Sequence, residues 1–542
     1  MGLDAYVAEL DARYEADVHM PWSLFTGNEY HTRLRRGTRV HQTKEAADYA
    51  IALLRLGRAD RAAEVLDALA GLQVTDPLSE HYGIWGWFLE EPPGQMAPAD
   101  WNWADFIGVR LAQVLAVHDT LLDRGVRERV RAALRHAALA IFRRNADPGY
   151  TNIAVMGAVT TAAAAEILDL PFLLDFGRRR LRAVLALHDR NGGFTEYNSP
   201  AYGRVVLEEL ERAALIVADD GFRAAAEELR RRTWAALAER FHPGTGQLAG
   251  PMSRAYHDWL QPDLAAYLTA QTGAPIQVRE KGTGAPLLVP PLPCPQEIAE
   301  RFSALTEAPV QLRTRFTATT TGTSWLAEDA CLGSADEECA WVQRRPLLGY
   351  WRTPEDPAVV LRARMLLNGH DLSAAWCRQH QDGPRVLSAW WLSYDSGDVH
   401  PELDRPPGSV FHVSDLRLRV SLQGRGATVR EPRDGVFALM AGERQAVVHT
   451  VPAEFVGIAS TWRAREGDGA AGAEVVLYSG PSVPVDFHQA RLHAAFALEL
   501  IQAGRQPHTA ALTASREAAA TIRWSWDGLT VSTPIDPTPF DR

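Results

Sequence analysis

The chain has 542 residues, 46% of them hydrophobic and 23% charged, an ordinary globular composition with material for about two or three domains. Its net charge of -11 excludes a general nucleic-acid surface, which needs a basic face. The four cysteines (Cys294, Cys331, Cys339, Cys377) lack metal-type CxxC pairing, the N-terminus lacks a basic start and apolar run, and no uninterrupted apolar stretch reaches bilayer length; these features predict a cytoplasmic protein with reduced thiols, no membrane span, no metal and no cofactor.

Up to about residue 275 the apolar periodicity and the Ala, Leu and Arg content predict helices almost throughout. They fall at 45–56, 59–72, 104–122, 126–142, 153–168, 171–188, 205–218 and 222–241. Brief breaks such as Gly57-Arg58 and Asp219-Asp220-Gly221 make antiparallel hairpins. Longer breaks at 75–103, 147–152, 189–202 and 242–258 are rich in Gly, Pro, Trp, Tyr, Asn and His, and fall after every second helix. In a ring of hairpins alternate connections share one end, so the pattern predicts an incomplete α/α toroid, with a superhelical solenoid as the competing arrangement. The proline-rich 286–295 cannot continue a helix. Beyond it, β-branched alternation at 310–320, 358–366, 386–392, 410–422, 446–451, 474–478 and 519–526 predicts an antiparallel β-sandwich. The expected division is therefore a toroid at 1–285, a linker at 286–300 and a sandwich at 301–542, an α+β multidomain chain.

Three stretches carry candidate chemistry. Four of the 16 tryptophans cluster among His81, Tyr82, Trp85, Trp87, Trp101, Asn102, Trp103 and Asp105. Aromatic faces interleaved with amide, imidazole and carboxylate suit a sugar, although a core tryptophan cluster gives the same letters. Asn152 follows Asp147-Pro-Gly-Tyr150-Thr and is either a helix N-cap or an amide placed to meet a carboxylate. Glu196, Tyr197, Asn198 and Tyr202 follow Asn191-Gly-Gly-Phe194, and Arg254, Tyr256 and His257 follow Gly250-Pro-Met-Ser253. These supply a fixed cation, phenols and a titratable imidazole. The histidines of the β-half, His370, His380, His400 and His412, show no zinc spacing. Gly467-Asp-Gly469-Ala-Ala-Gly472 matches GxGxxG by letter but leads into a strand, and so reads as a turn.

With these residues in place, the chain resembles the α/α-toroid polysaccharide lyases, a group that includes hyaluronate, chondroitin and xanthan lyases and, more distantly, alginate lyases and heparinases. Asn102-Trp103-Ala104-Asp105 resembles their sugar-binding Asn-Trp-Trp-Asp/Glu patch, Asn152 their helix-opening asparagine, and Gly250-Pro-Met-Ser-Arg254 their Gly-Arg-x-x-Ser-Arg element. Tyr197 stands where their loop histidine is expected, with Tyr202 downstream. The resemblance implies β-elimination on a uronate-containing oligo- or polysaccharide. Asn152 and Arg254 would neutralise the carboxylate, Tyr202 or Tyr256 would act as base or acid, and His257 as an alternative base or relay.

Other readings stay open at this level. A glycoside hydrolase would pair Glu196 with Asp105 or Asp258. A small-molecule elimination or cyclisation enzyme, or a non-catalytic carbohydrate-binding scaffold, would use the same architecture.

Overall fold

A computed structural model describes residues 1–27, 30–279, 284–467 and 469–540. Helices come first: α1 Leu3–Asp11, α2 Thr43–Arg55, α3 Ala59–Gly71, α4 Trp103–Val117, α5 Arg124–Arg144, α6 Thr151–Leu168, α7 Pro171–Asn191, α8 Pro200–Ile216, α9 Asp220–Arg240 and α10 Pro262–Thr272. They form two kinds. In α6 every position from Thr151 to Ala165 is buried, and α4 is nearly as enclosed. In α5 only a stripe spaced by three and four residues, such as Val126, Val130, Ala133, Leu134 and Ala137, is buried. Helices buried all round form an inner layer, and amphipathic ones cover it. Accordingly α4 packs on α2, α5 and α6, and α3 packs on α5. This is the hairpin layering of an incomplete α/α toroid. The enclosed α6 is long and apolar enough to cross a membrane by length and composition alone, and 83% of that window is buried inside the protein.

Local chemistry sets the helix ends. Asp123 caps α5 by accepting from the Val126 N–H at 3.0 Å, and Asn145 closes it in the left-handed region at φ 45°. Before α6 the cap position is Tyr150 and makes no side-chain cap bond, so neither Thr151 nor Asn152 is the cap expected from sequence. A small antiparallel sheet of Tyr14–Glu15, Met20–Leu24 and Arg39–His41 interrupts the N-terminal helices.

The β-region holds two large antiparallel sheets. The first contains β1 Val310–Arg315, β2 Thr321–Leu326, β3 Ala330–Asp336, β5 Leu347–Trp351, β6 Val359–Leu367, β9 Val410–Gln423, β13 Trp462–Gly467 and β14 Ala470–Asp486, in the spatial order β13-β14-β9-β6-β5-β3-β2-β1. The second contains β4 Glu338–Cys339, β7 Ala375–Asp382, β8 Arg385–Tyr394, β10 Thr428–Arg433, β11 Val436–Ala441, β12 Arg444–Thr450 and β15 Leu492–Gln502, in the order β10-β11-β12-β15-β8-β7-β4. One core lies between them, with Leu361, Leu418 and Val475 from the first sheet facing Trp390, Phe437 and Phe496 from the second. Each such side chain stabilises the sandwich by roughly 2–3 kcal/mol. The outer face of the second sheet packs Leu387, Ala389 and Ala497 under a three-stranded sheet, β16 Thr513–Ala518, β17 Thr521–Trp526 and β18 Leu529–Pro534, through Trp524 and Trp526. The GxGxxG letters form the β13–β14 hairpin, with Gly467 opposite Ala470; Asp468 lies outside the described residues.

By contact density the chain divides into one unit of Met1–Arg190, Tyr202–Trp234 and Gly282–Cys294 and another of Asn191–Ala201, Ala235–Lys281 and Pro295–Arg542. These units interleave in sequence around the proline-rich 286–300. Segments 191–201 and 235–281 group with the β-region, because their hydrogen-bond and packing partners lie there.

Candidate functional site

In the first unit, the mouth of α4 is organised by Asp100. Its carboxylate accepts the Asn102 N–H at 3.0 Å through Oδ1 and the Trp87 indole N–H at 3.0 Å through Oδ2. Asn102 is thereby presented to two partners. Its Oδ1 accepts from Arg144 Nη1 at 2.8 Å, and its Nδ2 donates to the Tyr150 hydroxyl oxygen at 3.0 Å. Trp87 and Trp103 stand 5.2 Å apart at 32°, and the Trp103 indole N–H donates to Thr43 at 2.9 Å. His81 and Trp101 stack at 6.4 Å and 28°. All four residues are half-buried.

Beneath this patch lies Asp105, only 2% exposed, with Arg144 Nη1 at 3.8 Å from its carboxylate. Burial pushes its carboxyl up to about 7, against the pull of Arg144 and Arg180 and with a further push from Asp100. Space for the carboxylate depends on a glycine in α6: a Cβ on Gly157 would lie 2.6 Å from Asp105 Oδ1. Arg180 spans the same region, donating to Asn145 Oδ1 at 2.9 Å and the Ala146 carbonyl at 2.6 Å. Asn152 is buried in the first turn of α6. Tyr82 bonds His136 at 2.8 Å. Trp85 is fully buried and donates its indole N–H to the Leu69 carbonyl at 2.8 Å, so the structure makes it a core residue and not a sugar platform.

In the second unit, two loops are zipped together. The Tyr197 carbonyl accepts from the Ser253 N–H at 3.1 Å, Ser199 Oγ donates to the Arg254 carbonyl at 2.6 Å, and Asn198 Nδ2 donates to the Pro251 and Ala249 carbonyls. Asn198 takes a left-handed φ of 45°, which asparagine tolerates better than most residues. The loop carrying Gly250 crosses β3 so closely that a Cβ on Gly333 would lie 1.7 Å from the Gly250 oxygen. Arg254 donates to Glu196 at 3.0 Å and Gln343 at 2.5 Å, and lies 5.2 Å from the Trp341 ring centroid.

Tyr197 stands apart from the role expected for it. It is 2% exposed, stacks on Phe316 at 4.1 Å and donates its hydroxyl to Glu338 at 2.7 Å. Burial, then the negative Glu338, hold its phenol well above the ordinary tyrosine range. It is a buried strut. Asp258, the hydrolase candidate, is held by Arg345 at 2.5 Å and Arg362 at 3.0 Å. Burial would raise its carboxyl, but these guanidiniums outweigh it and keep the group well below the carboxylate range. A carboxylate so paired cannot serve as a proton donor near neutrality. Tyr256 and His257 are exposed, and Tyr202 is half-buried near the start of α8. His370 bonds Asp398 at 2.6 Å, and His412 is exposed on β9.

The structure therefore joins Asn102 and Asp105 through Arg144, and joins Glu196 to Arg254 with Tyr197 and Asn198 beside them. The sequence reading missed Asp100, Arg144, Tyr150 and Arg180 in the first group and Glu338, Trp341 and Gln343 in the second. Asp100 and Tyr150 lay inside stretches already singled out, 75–103 and 147–152; the others did not.

One family description matches the chain, a domain of unknown function (DUF8769), over residues 24–271. A search among curated proteins returns no match. Among solved structures the chain is similar to heparinase III, with 10% identity, coverage of 99% of this chain and 92% of that one, and a TM-score of 0.43. A second heparinase III, with methylated lysines, matches at 8% identity, 90% and 82% coverage and a TM-score of 0.35. A Paenibacillus xanthan lyase matches at 9% identity, 96% and 59% coverage and a TM-score of 0.38. Likeness at this level is one of chain course, helices first and antiparallel sheets after; what the site can do is set by its own residues.

Proposed function

We propose that the protein is a carbohydrate lyase that cleaves a uronate-containing oligo- or polysaccharide by β-elimination. The observation that carries this reading is the joined amide, guanidinium and phenol of Asn102, Arg144 and Tyr150 beside the half-buried rings of Trp87, Trp101, Trp103 and His81. Such a patch offers indole faces to a sugar ring and polar partners to its hydroxyls. Elimination needs the carboxylate neutralised, the adjacent C–H deprotonated and the leaving oxygen protonated. On this reading Arg254 serves the carboxylate, and Tyr202 or Tyr256 moves the proton, with His257 as relay; Asn152, 1% exposed, is too buried for the role the resemblance gives it. Arg254 already faces Glu196, so its contribution is a guanidinium of reduced net charge. Exposed Tyr256 and His257 are accessible to substrate, which favours them over Tyr197.

The test is ultraviolet absorbance of the unsaturated product, followed continuously with a panel of uronate oligosaccharides. We expect a rising signal that Tyr256→Phe or Tyr202→Phe reduces by about a hundredfold or more. New reducing ends without absorbance would mean hydrolysis and would overturn the elimination reading.

A further inference from the structure

A polar cavity of about 330 Å³ lies within the β-region, where β1, β2 and β3 meet β7 and the three-stranded sheet β16–β18. Its residue types follow from strand register. Arg313 on β1 lies opposite Thr323 on β2, which lies opposite Ser334 on β3; one step along, Thr321 lies opposite Asp336. Residues directly opposite share a face, and so do positions two apart along a strand. The two rows on this face are therefore Arg313, Thr323 and Ser334, and, two residues along, Arg315, Thr321 and Asp336.

Most polar groups around this cavity are already committed. Ser334 Oγ donates to Gln381 at 2.7 Å, Asp336 accepts from the Gln379 N–H at 3.1 Å and lies 3.8 Å from Arg378, and Arg523 donates to Glu517 at 3.2 Å. Among the described residues, the side chains of Arg313, Thr321 and Thr323 enter no ion pair or hydrogen bond. Gln379 is 4% exposed, its amide nitrogen is pinned by the Ala335 and Pro346 carbonyls, and its Oε1 is buried without a partner. The Arg313 cation, two unused hydroxyls and the Gln379 side chain thus line one cavity, whose carboxylate, Asp336, lies 3.8 Å from an Arg378 that donates to Glu337.

We propose that this cavity binds a single uronic-acid residue, its carboxylate on Arg313 and its ring hydroxyls on Thr321 and Thr323. A carboxylate calls for the guanidinium, and neighbouring ring hydroxyls call for groups that both donate and accept. The volume suits one sugar ring, at the small end of ligand pockets. The inference does not rest on the elimination chemistry, since its residues are separate from those assigned there.

The experiment is methyl NMR of the full chain labelled at threonine, titrated with D-glucuronate, and with D-glucose and inorganic phosphate as comparisons. Saturable shifts of the Thr321 and Thr323 methyls by glucuronate are expected, with glucose weaker by about tenfold or more because it lacks the charge. Arg313→Gln, an exposed position where the fold is not at risk, is expected to weaken glucuronate by about tenfold while leaving the spectrum otherwise unchanged. Shifts confined to other methyls, indifference to Arg313→Gln, or phosphate binding as tightly as glucuronate would each overturn the proposal; the last would leave a plain anion site. Catalysis of uronate cleavage is read by absorbance and is not affected by any of these outcomes.

Discussion

Asp105 shows how one residue can bind stability to the site. Its carboxyl, raised to about 7 by burial, keeps its proton in the folded chain over a range where the unfolded chain has lost it. Between the ordinary aspartate value near 4 and about 7, the folded state therefore binds more protons, and stability falls as pH rises. Above about 7 the penalty, on the order of a few kcal/mol, is constant. Asp105→Asn removes the titration and keeps the shape against Gly157. Urea unfolding of both proteins from pH 4.5 to 8 is expected to show the wild type losing stability relative to the variant until about pH 7 and then running parallel; parallel curves throughout would show that Asp105 is ionised in the fold. The Asn-Trp-Ala-Asp letters were enough to single Asp105 out. What raises or restrains its proton was not legible, because Arg144 and Arg180 approach from α5 and α7, far along the chain. Trp85 and Trp87 make the same point: two indoles of equal promise by letter, one turned fully inward to the Leu69 carbonyl and one left at the rim.

At the scale of elements, periodicity carried the helices. The stretches at 59–72 and 153–168 coincide closely with α3 and α6, because a 3.6-residue apolar pattern or a long alanine-rich run has few other uses. The N-terminal sheet escaped notice, since strands of two, five and three residues are too short to establish an alternation. The long strands β9 and β14 were only partly visible, for their outer faces are not simply polar but a ladder of opposed charges. Glu474 on β14 is buried at its side chain to 2% exposure and receives Arg417 at 3.1 Å and Arg419 at 2.9 Å from β9 and Arg463 at 2.9 Å from β13. Burial alone would raise its carboxyl, and the three guanidiniums more than reverse this, holding it below the ordinary glutamate value. A depressed carboxyl contributes stability above its unfolded value near 4 and loses it as pH falls through the folded one. Glu474→Gln leaves Arg419 and Arg463 on two neighbouring strands without this carboxylate, Arg417 keeping Asp415, and is expected to cost roughly 2–4 kcal/mol at neutral pH. Chemical denaturation at pH 7 and near pH 3 checks it: the deficit should shrink on acidification, and a deficit equal at both would point to lost packing and not lost charge.

At the scale of the molecule, the proline-rich stretch near 290 is the natural place to cut the chain on sequence grounds, and the interleaved units predict that such a cut fails. Segments 191–201 and 235–281 precede that stretch but group with the β-region. Their letters, Gly, Asn, Tyr, Pro and Arg, read as loops between helices, and nothing local to them reveals that Phe316 and Glu338, more than a hundred positions later, complete Tyr197. A fragment ending at residue 285 would leave Tyr197 without its stacking partner and its hydroxyl acceptor, and the Gly250 loop without Gly333 to lie against. A fragment starting at 295 would lack Arg254 above Trp341 and the Asp258 carboxylate on Arg345, leaving that buried guanidinium without its carboxylate, which is costly, while Arg362 keeps Asp371. Neither piece is therefore expected to show a cooperative thermal transition by calorimetry. A chain cleaved near 285 after folding, by contrast, should hold together, because the second unit's own contacts span the cut. If the fragment 1–285 unfolds cooperatively and keeps dispersed amide resonances for 191–201, those loops fold without the β-region, and the interleaved division is wrong.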